Sequence, residues 1–285
     1  MCEELEKDVK KYIKNMPSFS ITAAKVLNIC NNPQSSPSDL NRVVSLDPVL
    51  SARVFRLISS AYDGLARPVT NLVRATIMLG INTVKNMALS TAIPVKPAAD
   101  NPPALDMDEF WRHSLCTGLA AKLIAKKRRV ENPLLEEYFT AGLLHDIGKI
   151  PAGALKADGF LEAMELAGQE RIDLYQAEER VLKFDHCAVG KIIVDTWRLE
   201  GAVGDVIKYH HSCPEYKGPY RDILYTVALA NRFSSVMEIG FSGDRYPGPP
   251  APGVLKYLAL GEDIFEEIGP VVKKEIEEAS LFLKP

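Results

Sequence analysis

The sequence predicts an all-α protein, and three observations carry that prediction. Apolar residues recur at spacings of three and four through almost every segment, so each segment can turn one stripe toward a core. Several segments open on side chains suited to capping a helix. Two-residue alternation rich in β-branched and aromatic residues, the mark of strands, is weak throughout.

Taken in order, residues 1–15 read as an N-terminal helix. Ser36-Pro37-Ser38-Asp39 then offers a capping serine, a proline where a missing N–H costs nothing, and an acid at the third position. Asp47-Pro48 and Asn132-Pro133 repeat the cap-plus-proline device. Between residues 70 and 93 two amphipathic helices meet at Gly80, where a left-handed stop is cheap for glycine. The stretch Pro94 to Pro103 holds four prolines in ten residues, which excludes a helix and makes residues 94–105 a connector between two lobes, 16–93 and 106–240. Asp106 to Lys126 forms the next helix, a further one ends at His145, and Asp185 caps one running to Trp197. Val203, Val206, Ile207 and His210 share one helical face. The helix from Arg221 to Ile239 follows, and residues 241–285 comprise an exposed loop through Gly253 and a short helical tail that packs back on the body.

At 285 residues the chain can bury a real core as one large or two medium domains. Lys and Arg number 34 against 37 acidic residues, and neither sign forms a long block, so charge predicts neither a nucleic-acid nor a membrane partner. Apolar runs fall short of the roughly 18 to 20 residues that span a bilayer, and the start Met1-Cys2-Glu3-Glu4-Leu5-Glu6 is unlike a secretory signal, so a cytoplasmic location is expected. Five cysteines form no CxxC pair and read as reduced thiols, with Cys187 and Cys213 taken as small core residues rather than ligands.

Chemistry concentrates on the histidines. All five follow the proline-rich stretch: His113, His145, His186, His210 and His211. The run Gly142-Leu143-Leu144-His145-Asp146-Ile147-Gly148-Lys149 delivers an imidazole and a carboxylate from an apolar helix, and Asp146 is suited to bridge two cations because a carboxylate has two oxygens. Glu109 lies four residues before His113 on the same face, so it either completes a capping box with Asp106 or approaches the same ion. Asn231 interrupts the stripe of Leu224, Val227 and Ala228, and is either a structural amide or a ligand.

With these residues identified, the chain resembles the HDOD proteins, a bacterial branch of the HD-domain metal-dependent phosphohydrolase superfamily whose name means HD-related output domain. The first half carries the likeness in Met16-Pro17-Ser18, Leu40, Asp47 to Val54, Ser59-Ser60-Ala61, Arg74-Ala75-Thr76 and Leu79-Gly80. The second carries it in His113, Ala141 to Lys149, Asp185-His186, Val189-Gly190, Trp197, His210-His211 and Pro214. The resemblance implies two helical lobes, the C-terminal one an HD-like bundle. It also implies a metal set of His113, His145, Asp146, His186, His210 and His211, with Lys149 touching phosphate if catalysis survives, although a solvated lysine would look the same.

Two departures from that pattern bear on activity. Asn231 stands where HD hydrolases place a later aspartate, and a neutral amide offers one weak oxygen and no charge. The Gly-Tyr-Pro triplet of the HD-GYP cyclic-dinucleotide phosphodiesterases is missing from Ile150 to Phe160. The reading is therefore a regulatory signalling module that keeps one or two divalent ions (Fe, Mn, Zn or Ni) and has lost efficient phosphodiester hydrolysis, with signalling proteins and a nucleotide-type ligand as partners. An active phosphohydrolase acting on a nucleotide or cyclic dinucleotide, with Asp146 and Lys149 catalytic, is the alternative. A helical scaffold with merely structural histidines is a third.

Overall fold

The computed structural model describes residues 3–15, 22, 25–26, 29, 32, 34–61, 69, 71–80, 84, 104–197, 199, 201–261 and 263–283. Met16-Pro17-Ser18, the proline-rich stretch from 94 to 103 and nearly all of the second helix expected between 70 and 93 lie outside them. Among the described residues the chain is helical and contains no strand. The first half holds α1 (Glu3–Tyr12), α2 (Pro37–Val44), α3 (Pro48–Ala61) and α4 (Leu72–Leu79). The second holds α5 (Met107–Lys127), α6 (Asn132–Leu144), α7 (Lys149–Leu155), α8 (Ala157–Glu170), α9 (Leu174–Leu182), α10 (His186–Trp197), α11 (Ala202–Tyr209) and α12 (Arg221–Val236), followed by α13 (Val254–Leu258) and α14 (Ile264–Leu283).

Caps place these helices. Ser36 Oγ accepts from the Asp39 N–H while Asp39 Oδ2 accepts from the Ser36 N–H at 2.8 Å, so the predicted capping box opens α2. Asp47 Oδ1 accepts from the Leu50 N–H at 2.9 Å and does the same for α3. Three expectations need correction. α6 begins at Asn132 itself, because the preceding Glu131 holds the extended backbone of the cap position. Gly80 takes the positive φ expected of it, +79°, but its ψ of 155° is extended rather than left-handed helical. The C-terminal tail is long: α14 runs for 20 residues, because Ile264, Ile268, Val272 and Ile276 form a buried stripe at four-residue spacing against α5.

The second half is organised around α5, which packs on α6, α12 and α14. Its approach to α6 is close because both helices present glycine. A Cβ on Gly142 would stand 2.8 Å from the Gly118 Cα and 2.9 Å from the Thr117 carbonyl oxygen. This backbone-to-backbone contact lies within about one turn of His113 on one helix and His145 on the other, so it fixes their separation. The first half reaches the second through α3, which packs on α10 and α6, while α1 lies on α10 and α7.

The segment after α12 was expected to be exposed, and its first part is not. Gly240 (φ +74°) and Gly243 (φ +97°) turn it back over α5, where the Phe241 N–H donates to the Glu109 carbonyl at 3.0 Å, leaving Ser242 and Asp244 buried. Gly142→Ala should force α5 and α6 apart and cost about 1 to 3 kcal/mol. A lower urea midpoint at unchanged m-value would show it, and an unchanged midpoint would remove the argument that this contact sets the helix spacing.

Candidate metal centre

α6 ends just before the His145-Asp146 pair, and a turn through Gly148 leads into α7, so both side chains leave the backbone at a helix end that faces inward. Gly148 makes that turn possible. A Cβ there would lie 2.1 Å from the His186 carbonyl oxygen and 2.7 Å from the Gly190 nitrogen, so only glycine lets the turn abut the first turn of α10. α10 starts at His186 because Asp185 Oδ1 accepts from the Ala188 N–H at 2.7 Å, the cap read from the sequence. His210 and His211 follow the last turn of α11, and His113 comes from the second turn of α5.

Asp146 is completely buried, and its two oxygens face different partners. Oδ1 lies 3.3 Å from His186 Nε2 and 3.5 Å from His210 Nε2. Oδ2 lies 3.3 Å from His145 Nε2, 3.8 Å from His113 Nε2 and 2.7 Å from the Lys149 ammonium. The six residues expected as metal ligands therefore come together as two adjoining groups, His113 with His145 and Asp146, and His186 with His210 and His211. Cys187, expected as a core residue, is buried and also belongs to the second group, with Sγ 3.7 Å from His210 Nδ1. The ring of His211 stacks on Tyr175, centroids 4.5 Å apart.

Hydrogen bonds set which ring nitrogen is free. His145 Nδ1 donates to the Gly142 carbonyl at 2.7 Å, His210 Nδ1 to the Val206 carbonyl at 3.0 Å, and His186 Nδ1 to Glu178 Oε2 at 2.6 Å. Each leaves an Nε2 lone pair directed inward, the arrangement by which outer partners orient metal-binding imidazoles. His186 Nε2 and His210 Nε2 stand 3.3 Å apart, a contact that calls for a positive charge between them. His145 Nε2, Asp146 Oδ1 and His211 Nε2 are buried without a hydrogen-bond partner, and burying such atoms is costly unless something fills their lone pairs. These residues fit a divalent cation beside Asp146.

Electrostatics divide the cluster: His113 and His145 are held in the neutral form a cation needs, whereas His186 is raised and, against burial, the neighbouring Cys187 and Asp146 push His210 up to about 9, so a cation there would displace protons. Burial pushes His113 down to about 3 and lowers His145, so both rings are neutral at pH 7. Burial alone would raise the Asp146 carboxyl, but His145 and Lys149 beside it outweigh burial and hold it well below the usual range. Burial would lower His186, and the Glu178 carboxylate more than reverses that.

The remaining two expected residues behave differently. The Glu109 carboxylate is 45 % exposed and faces Arg112 at 3.9 Å, so the structure does not bring it to the cluster. Nor does Glu109 close a capping box; Asp106 Oδ1 caps α5 by accepting from the Asp108 and Glu109 N–H groups. Asn231 does come to the cluster, where its Oδ1 accepts from His113 Nε2 at 2.9 Å. Lys149, which could have been solvated, is 1 % exposed, and its ammonium donates to Asp146 Oδ2 and, at 3.2 Å, to Ser242 Oγ.

Sequence reasoning missed Glu178, Ser242 and Asp244. Glu178 had a signal, since it follows Leu174 by four residues on the buried face of α9. Ser242 and Asp244 had none, because they lie in a stretch without periodicity. That stretch is pinned over the cluster, with the Gly248 N–H donating to Asp173 Oδ1 at 2.6 Å and Arg232 to the Pro247 carbonyl at 2.8 Å. A cleft of about 310 Å³ opens beside it, lined by His210, His211, Asn231, Arg232, Asp173 and Asp244 among others.

The model of the HDOD domain matches residues 16–213, more than two thirds of the chain. The chain belongs to the HDOD family. Among relatives of this HDOD protein, an uncharacterised protein of Treponema pallidum is 22% identical over 229 residues, which cover 80% of this chain and 44% of that one; the chain thus spans less than half of that relative's length. The crystal structure of the response regulator MmoQ from Methylococcus capsulatus matches with a TM-score of 0.67 and 20% identity, covering 89% of this chain and 97% of that chain. An HDOD domain protein of unknown function from Geobacter sulfurreducens matches with a TM-score of 0.51 and 24% identity, covering 99% and 96%. These two likenesses are likenesses of fold.

Because Glu178 orients His186, Glu178→Ala should weaken divalent-cation binding about 10- to 100-fold with the helical circular dichroism retained. Titration with Mn2+ measures it; an unchanged affinity would mean that His186 is not a ligand.

Proposed function

We propose that this HDOD protein is a signal-transduction module whose HD-like lobe holds a divalent cation and has lost efficient phosphodiester hydrolysis. The observation that carries the reading is Asn231, whose amide oxygen engages His113 Nε2 and brings no charge to offset a cation. The ligand nitrogens and Asp146 support a metal that imidazole and carboxylate can hold, Fe, Mn, Zn or Ni. That MmoQ is named a response regulator supports a signalling context, with other signalling proteins and a nucleotide-type small molecule as the partners. On this reading the lobes comprise residues 16–93 and 106–240, joined by 94–105.

A second reading, an active phosphohydrolase, is favoured by the gathering of the six expected ligands, five imidazoles and one carboxylate, into two adjoining groups. A bound cation would supply Lewis acidity to a phosphoryl oxygen and a more acidic water. The residues of the chain would then act as follows. Glu178 and the Gly142 and Val206 carbonyls hold three imidazoles in one tautomer, and the buried walls exclude bulk water. Lys149, with donors committed to Asp146 and Ser242, would have its third N–H for a phosphate. Opposing this, the cleft is lined by three acidic residues, Asp173, Glu215 and Asp244, against the one guanidinium of Arg232, a balance that disfavours a polyphosphate.

The two readings separate in a turnover assay. The purified 285-residue chain supplied with Mn2+ or Fe2+ should hydrolyse cyclic dinucleotides no faster than its Asp146→Ala variant. Metal-dependent turnover that the variant abolishes would overturn the proposal and establish the phosphohydrolase.

A further inference from the structure

The cluster holds a thiol as well as imidazoles and a carboxylate. Among the described cysteines, Cys116, Cys187 and Cys213 are all buried, but only the Cys187 sulfur lies among the ligand atoms of the cluster. Cys187 is the second residue of α10, directly after His186. Cys213 is committed elsewhere, its Sγ donating to the His210 carbonyl at 3.4 Å.

The Cys187 sulfur faces the ring of His210, 3.7 Å from Nδ1 and 4.0 Å from Nε2. Nδ1 is no acceptor for the thiol, because it carries the proton donated to the Val206 carbonyl. Nε2 is the nitrogen that also faces His186 Nε2 and Asp146 Oδ1, so three groups compete for one lone pair. A single cation between them would satisfy all of them at once.

The spacing of these atoms is that of ligands around one ion. Tetrahedral zinc, with bonds of about 2.0 to 2.1 Å to nitrogen and about 2.3 Å to sulfur, puts two nitrogens roughly 3.3 Å apart and a nitrogen and a sulfur roughly 3.6 Å apart. His186 Nε2 and His210 Nε2 stand 3.3 Å apart, and the 4.0 Å from Cys187 Sγ to His210 Nε2 exceeds the ideal by only about 0.4 Å. One ligand atom from each of His186, Cys187, His210 and His211 lies within 4.8 Å of the other three. A separate observation points to an ion at the same place: His211 Nε2 and Asp146 Oδ1 are buried without a hydrogen-bond partner, and Oδ1 lies 3.3 Å from His186 Nε2.

Resting on the reading that the cluster binds metal, we infer that Cys187 is a ligand: His186, Cys187, His210 and His211 form a three-imidazole, one-thiolate site that takes zinc in preference to manganese. On binding, the ion displaces the thiol proton to solvent and the sulfur is held as thiolate. Thiolate is a soft donor that suits Zn2+, whereas Mn2+ is suited by carboxylate, carbonyl and water oxygens. Cys187 thereby narrows the choice among the ions that imidazole and carboxylate alone would accept.

Cobalt reads the sulfur directly. The purified 285-residue chain, stripped of metal with a chelator, kept reduced with a phosphine and titrated with Co2+, should gain a thiolate-to-cobalt charge-transfer band in the near ultraviolet. Cys187→Ser should lose that band and still take up cobalt, while Cys213→Ser keeps both. Cys187→Ser should also lower Zn2+ affinity about tenfold or more and leave Mn2+ affinity within about threefold. Cys187→Ala repeats the measurement if the serine variant does not fold. Cobalt bound without the band in the wild type, or a band that survives both Cys187 variants, would overturn the inference and leave the metal reading intact. No uptake of cobalt, zinc or manganese by the wild type would overturn both.

Discussion

Asp146 is a carboxylate with no exposed surface, and the second half of the chain is arranged so that this is tolerable. A buried charge of this kind is costly unless it is matched, and here the matching comes from four separate elements: the end of α6, the start of α7, the start of α10 and the end of α11. The glycines follow from the same constraint. Gly148 lets the turn carrying Asp146 meet α10, and the contact of Gly118 with Gly142 brings α5 close enough for His113 to face the carboxylate. Remove the matching and the bundle holds an uncompensated ion in its core.

The stabilisation around Asp146 is therefore collective. The Nδ1 atoms of three histidines are spent on Gly142, Val206 and Glu178, which directs the other nitrogens inward, where His145 Nε2 has no partner and His186 Nε2 faces His210 Nε2 at 3.3 Å. Satisfying those nitrogens requires a cation or a proton, whereas satisfying the outer ring requires only the chain. Separating the two shells in this way builds the pocket before its occupant arrives.

Much of this was visible in the sequence, for a physical reason. Helices announce themselves by spacing and caps, so the Asp185 cap, the end of the helix at His145 and the placement of four of the five histidines at helix ends all followed from local rules, and the HDOD pattern named the six residues that come together. What escaped depended on long-range pairing. Lys149 reads identically whether solvated or buried, because the partners that decide it lie in other elements. Ser242 and Asp244 sit among turn residues whose path is set by packing against α5, and no periodicity marks a loop that closes over a site. Glu109 shows the converse error: correct spacing on a helix places a residue on a face, but which way the helix rolls puts that carboxylate beside Arg112 and outside the cluster.

One contact ties the two halves together in an unexpected way. α3, from the first lobe, packs on α6 and α10, the two helices that deliver His145 with Asp146 and His186. The lobes thus share the struts of the centre instead of merely touching, and the spacing of those struts is common to both. The seat on which α3 rests is thus built from the same two helices that frame the centre, so one pair of helices serves both the seam between the halves and the cluster.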